Sequence, residues 1–288
     1  MKIIGFEAAD GPHLGLIDNE RVIDLNAADP RLPRDLGDVL RQTGGDLSTL
    51  GDLAKRAPAS SHRSLEAIKY ALPVARPGKI ICLGLNYLEH AKEGGHSKPE
   101  FPSIFMRCLT SLTPHEGAIV RPRASETLDY ECELVAIIGK RARHMTRANA
   151  VSCVAGYSCF NDGSVRQFQR RTSQWDIGKN FDKTGGFGPW MVTADELPPG
   201  AEGLTIQSRL NGKIMQSDNT ANMMFPVAEA IADITQAMTL EPGDLIAMGT
   251  PSGVGHARKP PVWMKAGDTV EVEIGDIGVL QNRIVDER

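Results

Sequence analysis

The chain has little that would tie it to an oxidising compartment, a membrane or a nucleic acid. Its 288 residues include five cysteines, Cys82, Cys108, Cys132, Cys153 and Cys159. The number is odd and no C-x-x-C pair occurs, which argues against both a disulfide framework and a thiolate zinc site. Buried free thiols are the ordinary reading, with a nucleophilic cysteine as the alternative. No apolar run approaches the roughly 20 residues that cross a bilayer. The amino terminus, Met1-Lys2-Ile3-Ile4-Gly5-Phe6, runs into strand-like sequence without an apolar leader. A cytoplasmic protein with no membrane partner is the expectation. Aromatic residues make up 5%, and 32 Lys and Arg face 36 Asp and Glu for a net charge of -4. Without a basic stripe interleaved with aromatics, nucleic acid is not expected as a partner.

What is present is the composition of an ordinary globular protein, 41% hydrophobic and 24% charged, with enough chain for one large or two small cores. Residues 1–72 read as a small N-terminal α+β module. Ile3 to Phe6, His13 to Ile17 and Arg21 to Leu25 form a meander divided at Asp10-Gly11 and Asp18-Asn19. Helices are predicted near Asp35 to Gln42, Ser48 to Lys55 and Arg63 to Ala71. Two prolines mark 73–78 as a linker, and 79–288 read as the larger domain. There Lys79 to Gly84 is a short apolar strand. Asn211-Gly212 joins a hairpin, Phe225 to Met238 has helical spacing, and a second hairpin turns at Gly275-Asp276. The fold class is therefore α+β, a β-rich mixed roll with attached helices rather than a doubly wound sheet.

The stretch "LDYECELVAIIG" (128–139) becomes apolar from Leu134 onward, yet opens with two acids. In a strand Glu131 and Glu133 share a face and Cys132 points away. Side by side they need a proton, a base or a metal ion, unless they are simply solvated at a strand mouth. A third acid, Asp162, ends another apolar strand, before a polar, helix-like segment from Ser164 to Gln174. Three carboxylates without histidine or thiolate select Mg²⁺, Mn²⁺ or Ca²⁺ over zinc. His90 and Glu93, three residues apart, share a helical face. A carboxylate that holds one ring nitrogen suits an imidazole to take a proton from water, although such pairs also occur on plain surfaces. Lys179 is either a solvated loop charge or a cation facing an anionic substrate. Gly249-Thr250-Pro251-Ser252-Gly253-Val254-Gly255 lacks the P-loop and dinucleotide spacings. It reads as a turn that offers N–H groups and the Thr250 hydroxyl to a carboxylate.

"GLNYLEHAKE", "DYECELVAIIG", "GYSCFNDGS", "GKNFDKTGGFGPW", "MTLEPGDLIAMGTPSGVG" and "AGDTVEVEIGDIGVLQNRI", in this order over about 79 to 286, resemble the fumarylacetoacetate hydrolase family. The resemblance implies a mixed β-sandwich roll and commonly a homodimer. It implies that Glu131, Glu133 and Asp162 hold Mg²⁺ or Mn²⁺, with Ca²⁺ as a crystallisation substitute. It further implies that His90 and Glu93 form the water-activating dyad on a closing lid, that Lys179 is the active-site lysine, and that Thr250 touches the substrate carboxylate. After Asp162 the motif departs from many relatives at Gly163, Val165 and Gln167 while Arg166 is kept. Arg166, Gln167, Arg107 and the lid residue His96 are candidates to face the acyl group, or else surface residues.

The reaction these roles imply is hydrolysis of the C3–C4 bond of a 2,4-dioxo acid, such as fumarylpyruvate or a sugar-derived diketo acid, to pyruvate and a carboxylic acid. Decarboxylation of oxaloacetate, or isomerisation or decarboxylation of a hydroxymuconate-type diacid, would pass through a related enolate and is the alternative. A non-catalytic metal-binding protein is the distant one.

Overall fold

The run Cys132–Ile138 is apolar at nearly every position because both of its faces are covered. Leu134, Ala136 and Ile138 enter one core, while Val135 and Ile137 enter another on the opposite face. Continuous hydrophobicity is what a strand buried on both sides requires. The computed structural model of the protein describes residues 1–93 and 99–288.

This strand lies near the middle of a 12-stranded mixed sheet. Across it in order run His62–Ser64, Arg21–Asp24, Gly11–Asp18, Lys2–Ala8, Gly185–Thr193, Val154–Asn161, Cys132–Ile138, Leu245–Ala247, Ile80–Gly84 and Ser103–Met106. Lys69–Ala71 adds to Lys2–Ala8 and Leu112–Pro114 to Gly185–Thr193. A second sheet of five strands carries the Thr205–Leu210/Lys213–Asn219 and Thr269–Ile274/Gly278–Asp286 hairpins. Its Val272, Ile274 and Leu280 pack with Leu134 and Ala136, and the helix Val227–Ala237 adds Ile231 and Ile234 to the same core. The fold is α+β with mixed sheets and no closed barrel among the described residues.

The amino-terminal strands are continuous with the rest. Lys2–Ala8 pairs antiparallel with Gly185–Thr193, and Leu14, Leu36 and Leu40 share a core with Val135 and Phe187. Helices Leu36–Thr43 and Ser48–Lys55 stand where the periodicity predicts them. Arg63 to Ala71 is not helical. It forms His62–Ser64, a 3₁₀ turn at Leu65–Ala67, and Lys69–Ala71. Pairing with Arg21–Asp24 and Lys2–Ala8 overrides its local preference. Similarly, of the helix-like segment after Asp162 only Arg166–Gln169 is a helix before the short Asp176–Lys179. Ser164–Val165 instead pairs with Leu128–Asp129. No helix among the described residues is long and apolar enough to cross a membrane.

Candidate metal centre and active site

Glu131 and Glu133 alternate with Cys132 and emerge on the face of Val135 and Ile137, while Cys132 joins the other core. Cys132 pairs with Asn161, so the next residue, Asp162, reaches the same point. Two bonds extend the ladder there: the Asp162 N–H donates to Glu131 O at 2.9 Å, and the Glu131 N–H to Asn161 Oδ1 at 3.0 Å. Glu131, Glu133 and Asp162 each offer a carboxylate oxygen within 4.8 Å of the others, and all three residues are buried.

Charge around this cluster is nearly but not fully balanced. Lys179 closes a one-turn helix, Asp176–Lys179, and is 2% exposed rather than a solvated loop charge. Its Nζ lies 2.7 Å from Glu131 Oε2 and 2.5 Å from Asp162 Oδ2. Arg107 pairs with Asp162 Oδ1 at 2.5 Å, and Arg166 bridges Asp129 at 2.8 Å and Glu131 at 2.6 Å. Four buried carboxyls, those of Asp129, Glu131, Glu133 and Asp162, thus face three cations, Arg107, Arg166 and Lys179. Glu133 is the one left without a cationic partner among the described residues, accepting the Gly249 N–H at 2.9 Å. Gly249 has φ +86° and makes that approach where a side chain would be strained.

Burial raises Glu133 well above the ordinary carboxylate range, and repulsion from Asp162 and Glu131 adds to it. Burial also opposes ionisation of Glu131, but Lys179, Arg166 and His90 together outweigh it and hold that carboxyl low. Burial works against the Lys179 ammonium, yet Asp162 and Glu131 raise its pKa on balance. An all-oxygen set with one carboxyl short of a counter-ion fits a hard divalent cation.

Beside the cluster opens a cavity of about 300 Å³, lined among others by His90, Glu131, Glu133, Arg166, Lys179, Thr250 and His256. Leu85, with φ +55°, turns the chain out of Ile80–Gly84, and Asn86 fixes it through Phe225 and the Met248 carbonyl at 2.7 Å. The helix Leu88–Glu93 follows and carries the buried His90 into the cavity. Glu93 Oε2 stands 3.6 Å from His90 Nδ1, beyond hydrogen-bond length, while the Glu93 carboxylate accepts the Gly253 N–H, at 3.0 Å to Oε1 and 3.1 Å to Oε2. Thr250 Oγ1 accepts from Gln216 Nε2 at 2.7 Å, which leaves its own proton for a ligand.

Most of the residues proposed from the sequence therefore meet, but not all. Gln167 is exposed, and its N–H donates to Thr127 Oγ1; Gln169 lines the cavity in its place. The one-turn helix puts Gln169 beside Arg166, whose Nη1 donates to it at 2.9 Å. Arg166 borders the cavity with its charge committed to Asp129 and Glu131, and Arg107 is buried behind Asp162. His96 lies outside the described residues. Sequence reasoning missed Asp129, Gln216 and His256. Asp129 was signalled by alternation, since Asp129, Glu131 and Glu133 are spaced by two. Four of the thiols, Cys82, Cys132, Cys153 and Cys159, are buried as read, whereas Cys108 is exposed.

Residues 79–285 match the family described as fumarylacetoacetate (FAA) hydrolase C-terminal. The human protein named oxaloacetate tautomerase FAHD2A, mitochondrial, is 39% identical over 293 residues, 99% of this chain and 92% of its own length. A structure of fumarylacetoacetate hydrolase from Exiguobacterium antarcticum superimposes with a TM-score of 0.86 at 32% identity, covering 100% of both chains. Maleylpyruvate hydrolase from Sphingobium sp. SYK-6, solved in complex with manganese(II) ion and pyruvate, gives 0.82 at 28% identity, again over 100% of both.

Proposed function

The chain belongs to the fumarylacetoacetate hydrolase family, and from that premise we propose that it is a divalent-metal-dependent enzyme that enolises a short 2-oxo acid of the oxaloacetate type. The observation that carries this reading is that Glu131 and Glu133, clustered with Asp162, line one cavity with His90, whose imidazole has no hydrogen-bond partner among the described residues. The volume, at the low end for small-molecule sites, suits a short acid. The tautomerase name of a relative that aligns over 99% of this chain supports the same choice.

When bound by Glu131, Glu133 and Asp162, Mg²⁺ or Mn²⁺ supplies positive charge against the negative charge that develops on an enolising 2-oxo acid. The other roles fall to the chain. Glu93, on the Nδ1 side of His90, leaves Nε2 to take the proton from C3. Thr250 donates its hydroxyl proton to the substrate carboxylate. Lys179 neutralises Glu131 and Asp162, so that a dianionic ligand is not repelled. Phe105 and Trp175 add apolar wall to the cavity.

Hydrolysis of the C3–C4 bond of a 2,4-dioxo acid, the first choice from sequence, is the second reading here. The likeness to maleylpyruvate hydrolase favours it, and in it His90 would deprotonate water instead. A homodimer, to be checked by light scattering, and a cytoplasmic location, to be checked by fractionation, are proposals as well; the human relative is named as mitochondrial.

The test follows enol absorbance of oxaloacetate, and pyruvate release from acylpyruvates, with Mg²⁺ and with EDTA. Metal-dependent enol–keto conversion supports the first reading. Pyruvate from acylpyruvates without that conversion would transfer the assignment to the hydrolase. Neither activity would refute both.

A further inference from the structure

Moving a proton from C3 to the 2-oxygen needs a group that accepts and a group that donates, and His90 fills only one role. Thr250 is too weak an acid to deliver a proton outright, and Lys179 is spent on two carboxylates. A second imidazole borders the same cavity. His256, whose side chain is 12% exposed, has Nδ1 3.3 Å from Asp129 Oδ2 and donates its backbone N–H to that oxygen at 3.0 Å. Nε2 has no partner among the described residues.

Asp129 is well fixed for holding an imidazole. It is fully buried and accepts N–H bonds from Gly255 at 2.7 Å, Tyr130 at 2.9 Å and Arg166 Nε at 2.8 Å. A carboxylate fixed on one ring nitrogen sets the tautomer and supports the imidazolium form, leaving the other nitrogen to exchange protons. The arrangement resembles the His90–Glu93 pair but is tighter.

Resting on the enolisation reading above, we propose that His256, held by Asp129, is a second catalytic acid–base group of this cavity, working opposite His90. His90 removes the C3 proton as the C–H pair moves into the C2–C3 bond. The imidazolium of His256 gives its Nε2 proton to the 2-oxygen. One proton leaves carbon, one arrives on oxygen, and the two imidazoles trade protonation states, which solvent at the cavity mouth restores. The reverse reaction swaps the roles.

The two half-reactions are separable. Deuterium uptake at C3 of pyruvate, followed by proton NMR in D₂O with Mg²⁺, reads only the first. Enol–keto conversion of oxaloacetate reads both. His256→Asn keeps a donor toward Asp129 and has no titrating nitrogen. It should retain C3 exchange within about threefold and lose tautomerisation by about a hundredfold, with one limb missing from the kcat–pH profile. His90→Asn should lose both activities. His256→Ala, with added imidazole, should recover tautomerisation. Wild-type tautomerisation in His256→Asn, or equal loss of both activities without imidazole rescue of His256→Ala, would overturn the assignment. A wild-type protein that neither exchanges nor tautomerises would remove the enolisation reading and this inference with it. Exchange without tautomerisation in the wild type would overturn both as well, in favour of the hydrolase.

Discussion

Glu131, Glu133 and Asp162 hang from the central strands of the large sheet, buried and tied by ion pairs and backbone hydrogen bonds. His90 and Glu93 stand instead on a six-residue helix next to the sheet's outermost strands, 3.6 Å apart, with Glu93 exposed. The anionic half of the site is organised before any ligand arrives. The half proposed to handle protons has its parts in place but not yet in contact. Fixed charges act on a transition state only if they do not have to reorganise, whereas a base can complete its hydrogen bonds in the substrate complex.

The difference can be broken most severely from the fixed side. Glu131→Gln removes a carboxylate and leaves Arg166 and Lys179 with less to hold them; turnover should fall by more than a thousandfold and Mg²⁺ affinity by about a hundredfold. Calorimetric titration with Mg²⁺ checks the second figure, and an unchanged isotherm would remove Glu131 from the ligand set. His90→Asn should lower kcat by about a thousandfold while the Mg²⁺ isotherm stays as in the wild type. A lost isotherm would mean the halves are not independent. Glu93→Gln keeps the acceptor for Gly253 and weakens only the orientation of His90, so about a tenfold loss in kcat is expected from steady-state rates. A loss as large as that of His90→Asn would mean Glu93 takes the proton itself.

A smaller effect sharpens the contrast away from the site. His115 accepts the Gln281 N–H at Nδ1, lies edge-on to Tyr70, and is pushed down to about 4 by burial. Its unfolded value is near 6.5, so the unfolded chain binds the extra proton first. The stability it contributes is complete above about pH 6.5 and is lost as pH falls toward 4, by at most about 3 kcal/mol. Urea unfolding at pH 7 and pH 5 should show this loss in the wild type and a flatter dependence in His115→Gln. Identical slopes would show that His115 titrates normally.

Much of the fixed half was legible because strands leave a period of two. Acids at 131 and 133, ahead of an apolar run, could not lie in the core uncompensated, and Asp162 ends the neighbouring strand. The second strand hairpins were legible from Asn211-Gly212 and Gly275-Asp276. Legibility failed where tertiary contacts decide. Gln167 was named and Gln169 was not, because a one-turn helix leaves too little periodicity to show which side faces inward. His256 could not be found because its meaning depends on Asp129, which is 127 residues earlier. Arg63 to Ala71 looked helical because the two strands it joins contribute nothing to its local pattern.

The strand Lys2–Ala8 covers the Met191–Val192 end of the edge of Gly185–Thr193, beyond the part paired with Leu112–Pro114. A chain trimmed to 79–288 would bare that end, along with apolar surface around Met191 and Phe187 now shared with Leu14 and Leu36. Exposed N–H and C=O groups along such an edge recruit other strands. A fragment shortened in this way would need a substitute for the lost strand to remain dispersed at high concentration.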